Sequence, residues 1–383
     1  MPLMSSPPGT EVKVDGKTVL YFAGTAYFAL QGDPRVIEAA CTAVRQYGIH
    51  PATSRSGFGE TSLLRSVEQS AARFFGTDDA LYFASGYAGP GLLMQAAEHR
   101  YDLIAVDESV HLASQDAVDQ HGARVVRFRH LDPQHLEELL GQHRTARRVA
   151  VLCDGVSPVL GDIAPVNDYL NVLERTGGGI LVIDDAHGVG VLGKNGRGTL
   201  EYAADASGRP IAVNTHSNAS PRETLNRAAW MCGTMSKALG GGGGIVAGST
   251  SFIAGLKARA RWYHGAAAPA APVAGATEQA LRILIDEPLM RERLRCNIVR
   301  LRSGLARVGL QVDSWPTPIV CVKVGNGANM ERIQRTMFDR GIAIAHSRNY
   351  PGVGEEGALR IAVFSKHTDA MIDHLINEMA SLL

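Results

Sequence analysis

Long hydrophobic stretches are missing from this 383-residue chain: no run reaches the roughly 18 apolar residues that a membrane-spanning helix needs. The start, "MPLMSSPPGT", lacks the basic flank and apolar centre of a secretory signal. Charge of one sign is also missing. Lysine plus arginine number 38, as do aspartate plus glutamate, so the balance points neither to nucleic acid nor to an anionic membrane as a partner. A small-molecule substrate is the better expectation. Cysteine is sparse: Cys41, Cys153, Cys232, Cys296 and Cys321 are odd in number, scattered and without metal-ligand spacing, which argues against a disulfide framework or a metal centre. Three of them fall in strand-like apolar runs, and the set reads as reduced core residues in a soluble cytoplasmic protein. Internal repeats, heptads and low-complexity segments are absent apart from the glycines at 240–244.

What is present is ordinary globular composition, 45% hydrophobic and 20% charged, with length for one large and one small domain. "EVKVDGKTVLYF" alternates around an Asp-Gly pair, a hairpin signal. From about residue 60 to residue 250, the apolar runs "ALYFAS", "DLIAVD", "RVVRF", "RVAVLCD", "GILVIDDAH", "WMCGTMSK" and "GIVAGS" alternate with helical stretches. That order predicts βαβ crossovers and a mostly parallel sheet, buried on both faces because runs such as "GILVIDD" are continuously apolar. Two long amphipathic stretches follow, then "PIVCVKVG", a helix, "IAIAHS", "ALRIAVFS" and a final helix, which suit a small α/β domain. The expected division is an N-terminal hairpin and arm over 1–45, a large domain over 46–262 and a small domain over 263–383.

Three places carry chemistry. "ILVIDDAHGVGVLG" ends an apolar strand in Asp184, Asp185 and His187, and polar groups at the carboxyl end of a sheet strand face the ligand crevice. Asp185 is expected to turn away and stabilise the turn. "CGTMSKALGGGGG" stops a strand at Lys237, among Thr234, Ser236 and glycines that let backbone approach a phosphate, and lysine is the residue that makes Schiff bases. "YFASGYAGPG" ends a strand at Ser85-Gly86 and begins a helix, offering free N–H groups to an anion. A carboxylate for a pyridinium nitrogen, a lysine for an aldehyde and donors for a phosphate are what pyridoxal 5'-phosphate (PLP) requires of a protein.

"VIDDAHGVGVLGKNGRGTLE", "TMSKALGG", "FASGYAG" and "ESVHLAS" resemble the fold type I PLP enzymes, and most specifically the α-oxoamine synthases. The resemblance runs from about residue 20 to the end of the chain. It implies an α/β fold, with a mostly parallel seven-stranded sheet between helices and a small C-terminal domain. It also implies Lys237 as the cofactor lysine, Asp184 on the pyridine nitrogen, His187 on the ring hydroxyl and His111 stacked on the ring. Ser85, Thr234 and Ser236 would bind the phosphate with the backbone of Gly86 and Tyr87. Arg360, in "GALRIAVFS", would grip the substrate carboxylate, for which a guanidinium fork suits bidentate pairing. Taken alone, Arg360 fits a structural ion pair equally well and His111 a satisfied core histidine.

The activity so implied is decarboxylative condensation of an amino acid with an acyl thioester, on coenzyme A or a carrier protein, in a homodimer with shared sites. An aminotransferase, or another PLP enzyme acting at the amino acid's α-carbon, is the alternative; a PLP-binding homologue without activity is a third. Several departures concern the acyl half. The hairpin begins near residue 11 without the helical segment these synthases usually carry before it, and "GTAYFAL" replaces Ser-Asn-Asp-Tyr-Leu-Gly. "YHGAAAPAAP" puts Gly265, Ala266 and Ala267 where hydroxyl residues reach a partner's phosphate, and Pro158 replaces a serine near the cofactor. The polar stretch over 205–228 lengthens the Asp184-to-Lys237 connection and reads as a surface loop.

Overall fold

A computed structural model of the chain describes residues 2–97, 100–119, 122–215 and 228–383. Near the start, β1 (Glu11–Val14) and β2 (Lys17–Tyr21) form an antiparallel hairpin. Its turn, Asp15 and Gly16, takes φ of 49° and 79°, the left-handed pair that a two-residue hairpin matched to strand twist requires.

The central sheet contains β3 (Asp79–Phe83), β4 (Leu103–Asp107), β5 (Arg124–Phe128), β6 (Val149–Asp154), β7 (Ile180–Asp184), β8 (Ala212–Val213), β9 (Ala228–Thr234) and β10 (Gly244–Gly248). Along it the order is β3-β10-β9-β7-β6-β4-β5, with β8 added beside β9. Seven strands thus make the expected path, and β8 is an eighth, two-residue addition. Every pair is parallel except those of β10, which runs against both β3 and β9. The runs without alternation are buried throughout, as in β4 and β10, because helices cover both faces. β5, at the edge, is largely exposed and carries Arg124 and Arg127, charges that discourage further strand pairing.

This topology gathers strand ends. Asp154 and Asp184 are register partners at the ends of β6 and β7, and Asp184 is the partner of Cys232 in β9. Gly244 of β10 sits between Phe83 and Thr234, so the turn after β3, at Ser85-Gly86, meets the turn after β9, at Thr234–Lys237. The stretch over 205–228 is only partly a loop. Residues 205–207 close the helix Thr199–Ser207 and 212–213 form β8, whereas 216–227 lie outside the described residues.

In the C-terminal part, β11 (Ile319–Val322), β12 (Ile342–Ala343), β13 (Ala345–Ser347) and β14 (Ala358–Ala362) follow. β11, β14 and β13 make an antiparallel sheet, whereas β12 pairs in parallel with β2, Ile342 opposite Leu20. The N-terminal hairpin is therefore stitched to the C-terminal part, and Phe22 O and Tyr27 O accept the N–H groups of Ala362 and Ser365. Helix Ala271–Asp286 packs on helices Pro34–Tyr47 and Ser62–Phe75, and helix Leu289–Arg307 packs on Asp369–Ala380. One apolar core runs from Phe22 and Tyr82 through Ile183 to Ile361 and Phe364. Of the cysteines, Cys153 and Cys232 are core residues, but Cys41 and Cys296 are exposed. The apolar-run argument does not reach these two, which lie on solvent-facing sides of amphipathic helices. Among the described residues, no helix is long and apolar enough to cross a membrane.

Candidate active site

β6 and β7 end together, so two carboxylates meet at one cavity. Asp184 is buried and accepts the Ala186 N–H at 3.1 Å. Burial pushes its pKa up, against the pull of the Lys237 and His111 charges. Asp154 accepts the His111 N–H at 2.9 Å through Oδ2, and its buried Oδ1 has no hydrogen-bond partner. Burial, then the charge of Asp184, hold Asp154 well above the usual carboxylate range. Asp185 turns to the other side of the strand, as the alternation of a strand requires: it accepts the Thr199 N–H at 2.7 Å and the Thr199 hydroxyl at 2.6 Å.

From the turn after β9, Lys237 reaches back over the strand ends. Its Nζ lies 2.7 Å from Nε2 of His187, and Nδ1 of the same ring lies 2.7 Å from the hydroxyl of Tyr27. Burial lowers Lys237 to about 8 and, with the charge of Lys237, holds His187 well below its ordinary value. The backbone beneath Lys237 is fixed by Gln31, whose side-chain amide donates to Ser236 O at 2.9 Å and to Lys237 O at 2.8 Å.

On the same turn as Lys237, the Thr234 and Ser236 hydroxyls are 2.7 Å apart, with Thr234 packed against Gly86. A side chain at Gly86 would bring its Cβ to 2.6 Å from Thr234 Oγ1, so glycine is required for the two turns to approach. Tyr87, half-exposed, donates to Asp116 at 2.6 Å and meets the His111 ring edge-on, with centroids 5.8 Å apart. Burial lowers the pKa of His111, favouring the uncharged ring, which suits an aromatic contact.

These residues line one cavity of about 220 Å³: Ser85, Gly86, Tyr87, His111, Asp184, His187, Thr234, Ser236 and Lys237, joined by Asp154, Val156, Pro158, Ala113 and Ala186. Arg360 is not part of that lining. From buried β14 its Nε donates to Pro158 O at 2.7 Å and its Nη1 to Ala23 O and Gly24 O at 3.1 and 3.2 Å, leaving Nη2 without a hydrogen-bond partner. The fork expected to pair bidentately is thus partly committed to backbone carbonyls, and Nη2 is buried on the Tyr27 side. Two residues at the site were not singled out by the sequence. Asp154 ends an apolar strand as Asp184 does, and the same rule finds it; Tyr27 arrives from the N-terminal arm, and the tyrosine that "GTAYFAL" shares with Ser-Asn-Asp-Tyr-Leu-Gly is the one local sign of it.

The donor set fits PLP. Two strand-end carboxylates, an amine depressed by burial, an apolar wall of Val156 and Pro158, a glycine-lined approach beside two hydroxyls and the unpartnered Asp154 Oδ1 provide one group for each polar end of the cofactor.

Residues 19–379 match the family model described as aminotransferase class I and II. Among curated relatives, an 8-amino-7-oxononanoate synthase from Methylococcus capsulatus is 34% identical over 379 residues, 99% of this chain and 92% of the relative. The 8-amino-7-oxononanoate synthase 1 from Polaromonas sp. is 36% identical over 380 residues, 98% of this chain and 89% of the relative. Among solved structures, a serine palmitoyltransferase from S. paucimobilis with bound PLP and myriocin aligns at a TM-score of 0.87 and 25% identity, covering 100% of this chain and 92% of that one. With its cavity, its strand-end carboxylates and its buried lysine, the chain belongs to the class I and II aminotransferase family and, within it, to the α-oxoamine synthases, PLP-dependent transferases of amino acids and acyl thioesters.

Proposed function

We propose that the protein joins an amino acid to an acyl thioester, carried on coenzyme A or a carrier protein, with loss of carbon dioxide, and that Lys237, Asp184 and His187 are its central residues. The observation that carries this reading is their convergence in one cavity, with Lys237 Nζ 2.7 Å from His187 Nε2. Bound there, PLP supplies an electron sink for negative charge at the amino acid's α-carbon.

The chain's own residues then have distinct tasks. Lys237 holds the cofactor aldehyde at rest. Its amine, with a pKa lowered to about 8 by burial, takes the α-proton once released, since a base works best with a pKa near the working pH. Asp184 would keep a proton on the ring nitrogen, His187 Nε2 would meet the ring hydroxyl and His111 would lie against the ring. Ser85, Thr234, Ser236 and the backbone of Gly86 and Tyr87 hold the phosphate. Arg360, one layer behind the cavity lining, would meet the substrate carboxylate. The name of the 8-amino-7-oxononanoate synthases describes an amine beside a ketone, the pattern that acylation of an amino acid's α-carbon leaves. The working form we propose is a cytoplasmic homodimer in which the partner completes each site. Phe58, 97% exposed between two glycines, and exposed Trp262 fit a covered surface.

Amino acids supplied with and without acyl thioesters, while free thiol and carbon dioxide are followed together, test the reading. Both products, each dependent on both substrates, are expected. Keto acid formed only when an acceptor keto acid is supplied would replace acyl transfer with transamination.

A further inference from the structure

His187 is gripped on both ring nitrogens, and the group on its far side belongs neither to the strand ends nor to the lysine turn. Tyr27 is fully buried, and its hydroxyl lies 2.7 Å from His187 Nδ1. The Arg360 guanidinium is held against this stretch of the arm by its bonds to Ala23 O and Gly24 O; burial pushes the Tyr27 phenol up to about 12, and the Arg360 charge beside it pulls the other way. Arg360, Tyr27, His187 and Lys237 therefore form a row: the residue assigned to the substrate carboxylate at one end, the residue assigned to the cofactor at the other.

The charged groups facing His187 are Lys237, Arg360 and His111, and all three disfavour a cationic ring. A neutral imidazole has one N–H, and which nitrogen carries it is set by the partners. If Nε2 accepts from Lys237, Nδ1–H donates to the Tyr27 oxygen. If Tyr27 donates to Nδ1, Nε2–H points into the cavity. A hydroxyl serves either arrangement because it donates and accepts; a phenyl ring serves neither and would leave a buried nitrogen unpaired. Arg360 beside the Tyr27 oxygen favours that oxygen as donor toward His187, and hence the proton on Nε2. A carboxylate placed on Arg360 cancels this bias.

We propose that Tyr27 is a positioning residue that couples occupancy of Arg360 by the amino acid's carboxylate to the ring nitrogen on which His187 carries its proton. The proposal rests on the assignment of Arg360 and the cofactor site made above. It gives the arm before residue 30 a task in the reaction: arrival of the substrate's carboxylate alters the hydrogen bond offered at the cofactor before the α-carbon is touched. By linkage, the proton on His187 alters carboxylate affinity equally.

The test uses the PLP-loaded protein and acetate, a carboxylate with no amine to react. The midpoint of the visible absorbance change with pH is measured with and without saturating acetate, in the parent, in Tyr27→Phe and in Arg360→Ala. The parent is expected to shift by about one pH unit, within the usual range of coupling between sites. Arg360→Ala should show no shift, and Tyr27→Phe less than half the parent's, the remainder being direct attraction through space. A Tyr27→Phe shift at least half the parent's, with none in Arg360→Ala, overturns the coupling and leaves the Arg360 assignment standing. A full shift in Arg360→Ala, or none in the parent, removes that assignment and the coupling with it. Should Tyr27→Phe not retain cofactor, 3-fluorotyrosine at position 27 keeps ring and hydroxyl while making the phenol more acidic. A midpoint unmoved by that replacement also overturns the proposal.

Discussion

Asp154 and Asp184 are register partners on adjacent parallel strands, so a half-buried and a buried carboxyl group open onto the same cavity. Two like charges at such a separation oppose each other's ionisation, and the groups differ in what else they touch. Burial pushes Asp184 up while the Lys237 and His111 charges pull against it; for Asp154 burial is joined by the Asp184 charge, which holds it well above the usual range. Asp184 is the one to carry the negative charge. Asp184→Asn should lower kcat by about 10²-fold or more, and Asp154→Asn, which replaces a neutral acid by a neutral amide, by less than about tenfold. Steady-state kinetics on both variants checks the order; equal losses would refute it.

Borohydride reduction of the PLP-loaded protein should fix the cofactor on the peptide containing Lys237. Lys237→Ala should yield no labelled peptide under the same treatment. Mass mapping decides this, and label on another lysine would remove Lys237 from its assigned place.

Replacement of Arg360 by Ala strips donors from Pro158 O, Ala23 O and Gly24 O, so it should affect both recognition and stability. KM for the amino acid is expected to rise at least about tenfold, and unfolding to become easier by about 1–3 kcal/mol. Lysine cannot reproduce the planar fork, and Arg360→Lys should recover little of either. Thermal unfolding beside amino-acid titration separates the two effects.

Two histidines bend the pH–stability curve in opposite directions. His367 is buried against Phe22, stacked at 4.0 Å between ring centroids, and burial lowers it to about 3, below the unfolded value of about 6.5. Between those values the unfolded chain binds more protons, so the stabilisation is complete above about pH 6.5 and is lost as pH falls toward 3. His130, held between Asp107 and Asp162, is raised to about 10 by their hydrogen bonds and charges, against burial. Its contribution is complete below about pH 6.5 and is lost as pH rises toward 10. Melting temperatures across pH should show His130→Gln flattening the alkaline limb and His367→Phe the acid limb.

At Gly86 a methyl group would meet Thr234 Oγ1 at 2.6 Å, forcing apart the turns after β3 and β9. Gly86→Ala should leave the sheet intact and weaken cofactor retention by about tenfold or more, since even one misplaced group disturbs a close-packed site. Spectrophotometric titration of the apoprotein with PLP reads this directly.

How much was legible follows the range of the interactions. The strands of the central sheet were readable because unbroken apolar runs such as 180–184 require burial on both faces. Asp184, His187 and Lys237 were readable because strand ends face the ligand. Asp154 was available to the same argument at the end of "VAVLCD". The tyrosine of "GTAYFAL" was visible, but its contact with His187 was not, since it depends on pairings of the arm with β12 and with the chain around 362–365. The commitment of Arg360 to carbonyls at Ala23, Gly24 and Pro158 was hidden likewise, because backbone acceptors leave no mark in side-chain identity. The exposure of Cys41 and Cys296 depends on which face of a helix meets the core, which residue type alone does not decide.

The pairing of Leu20 with Ile342 joins segments far apart in the chain. A ribosome delivers residue 20 long before residue 342, so the hairpin waits without its partner strand while the central sheet is made. The large sheet, with its lysine and both carboxylates, can assemble first. Tyr27 reaches its place only once the chain around 342 and 362–365 has been made. A chain cut before residue 342 would therefore carry Lys237 without the buried hydroxyl held behind His187.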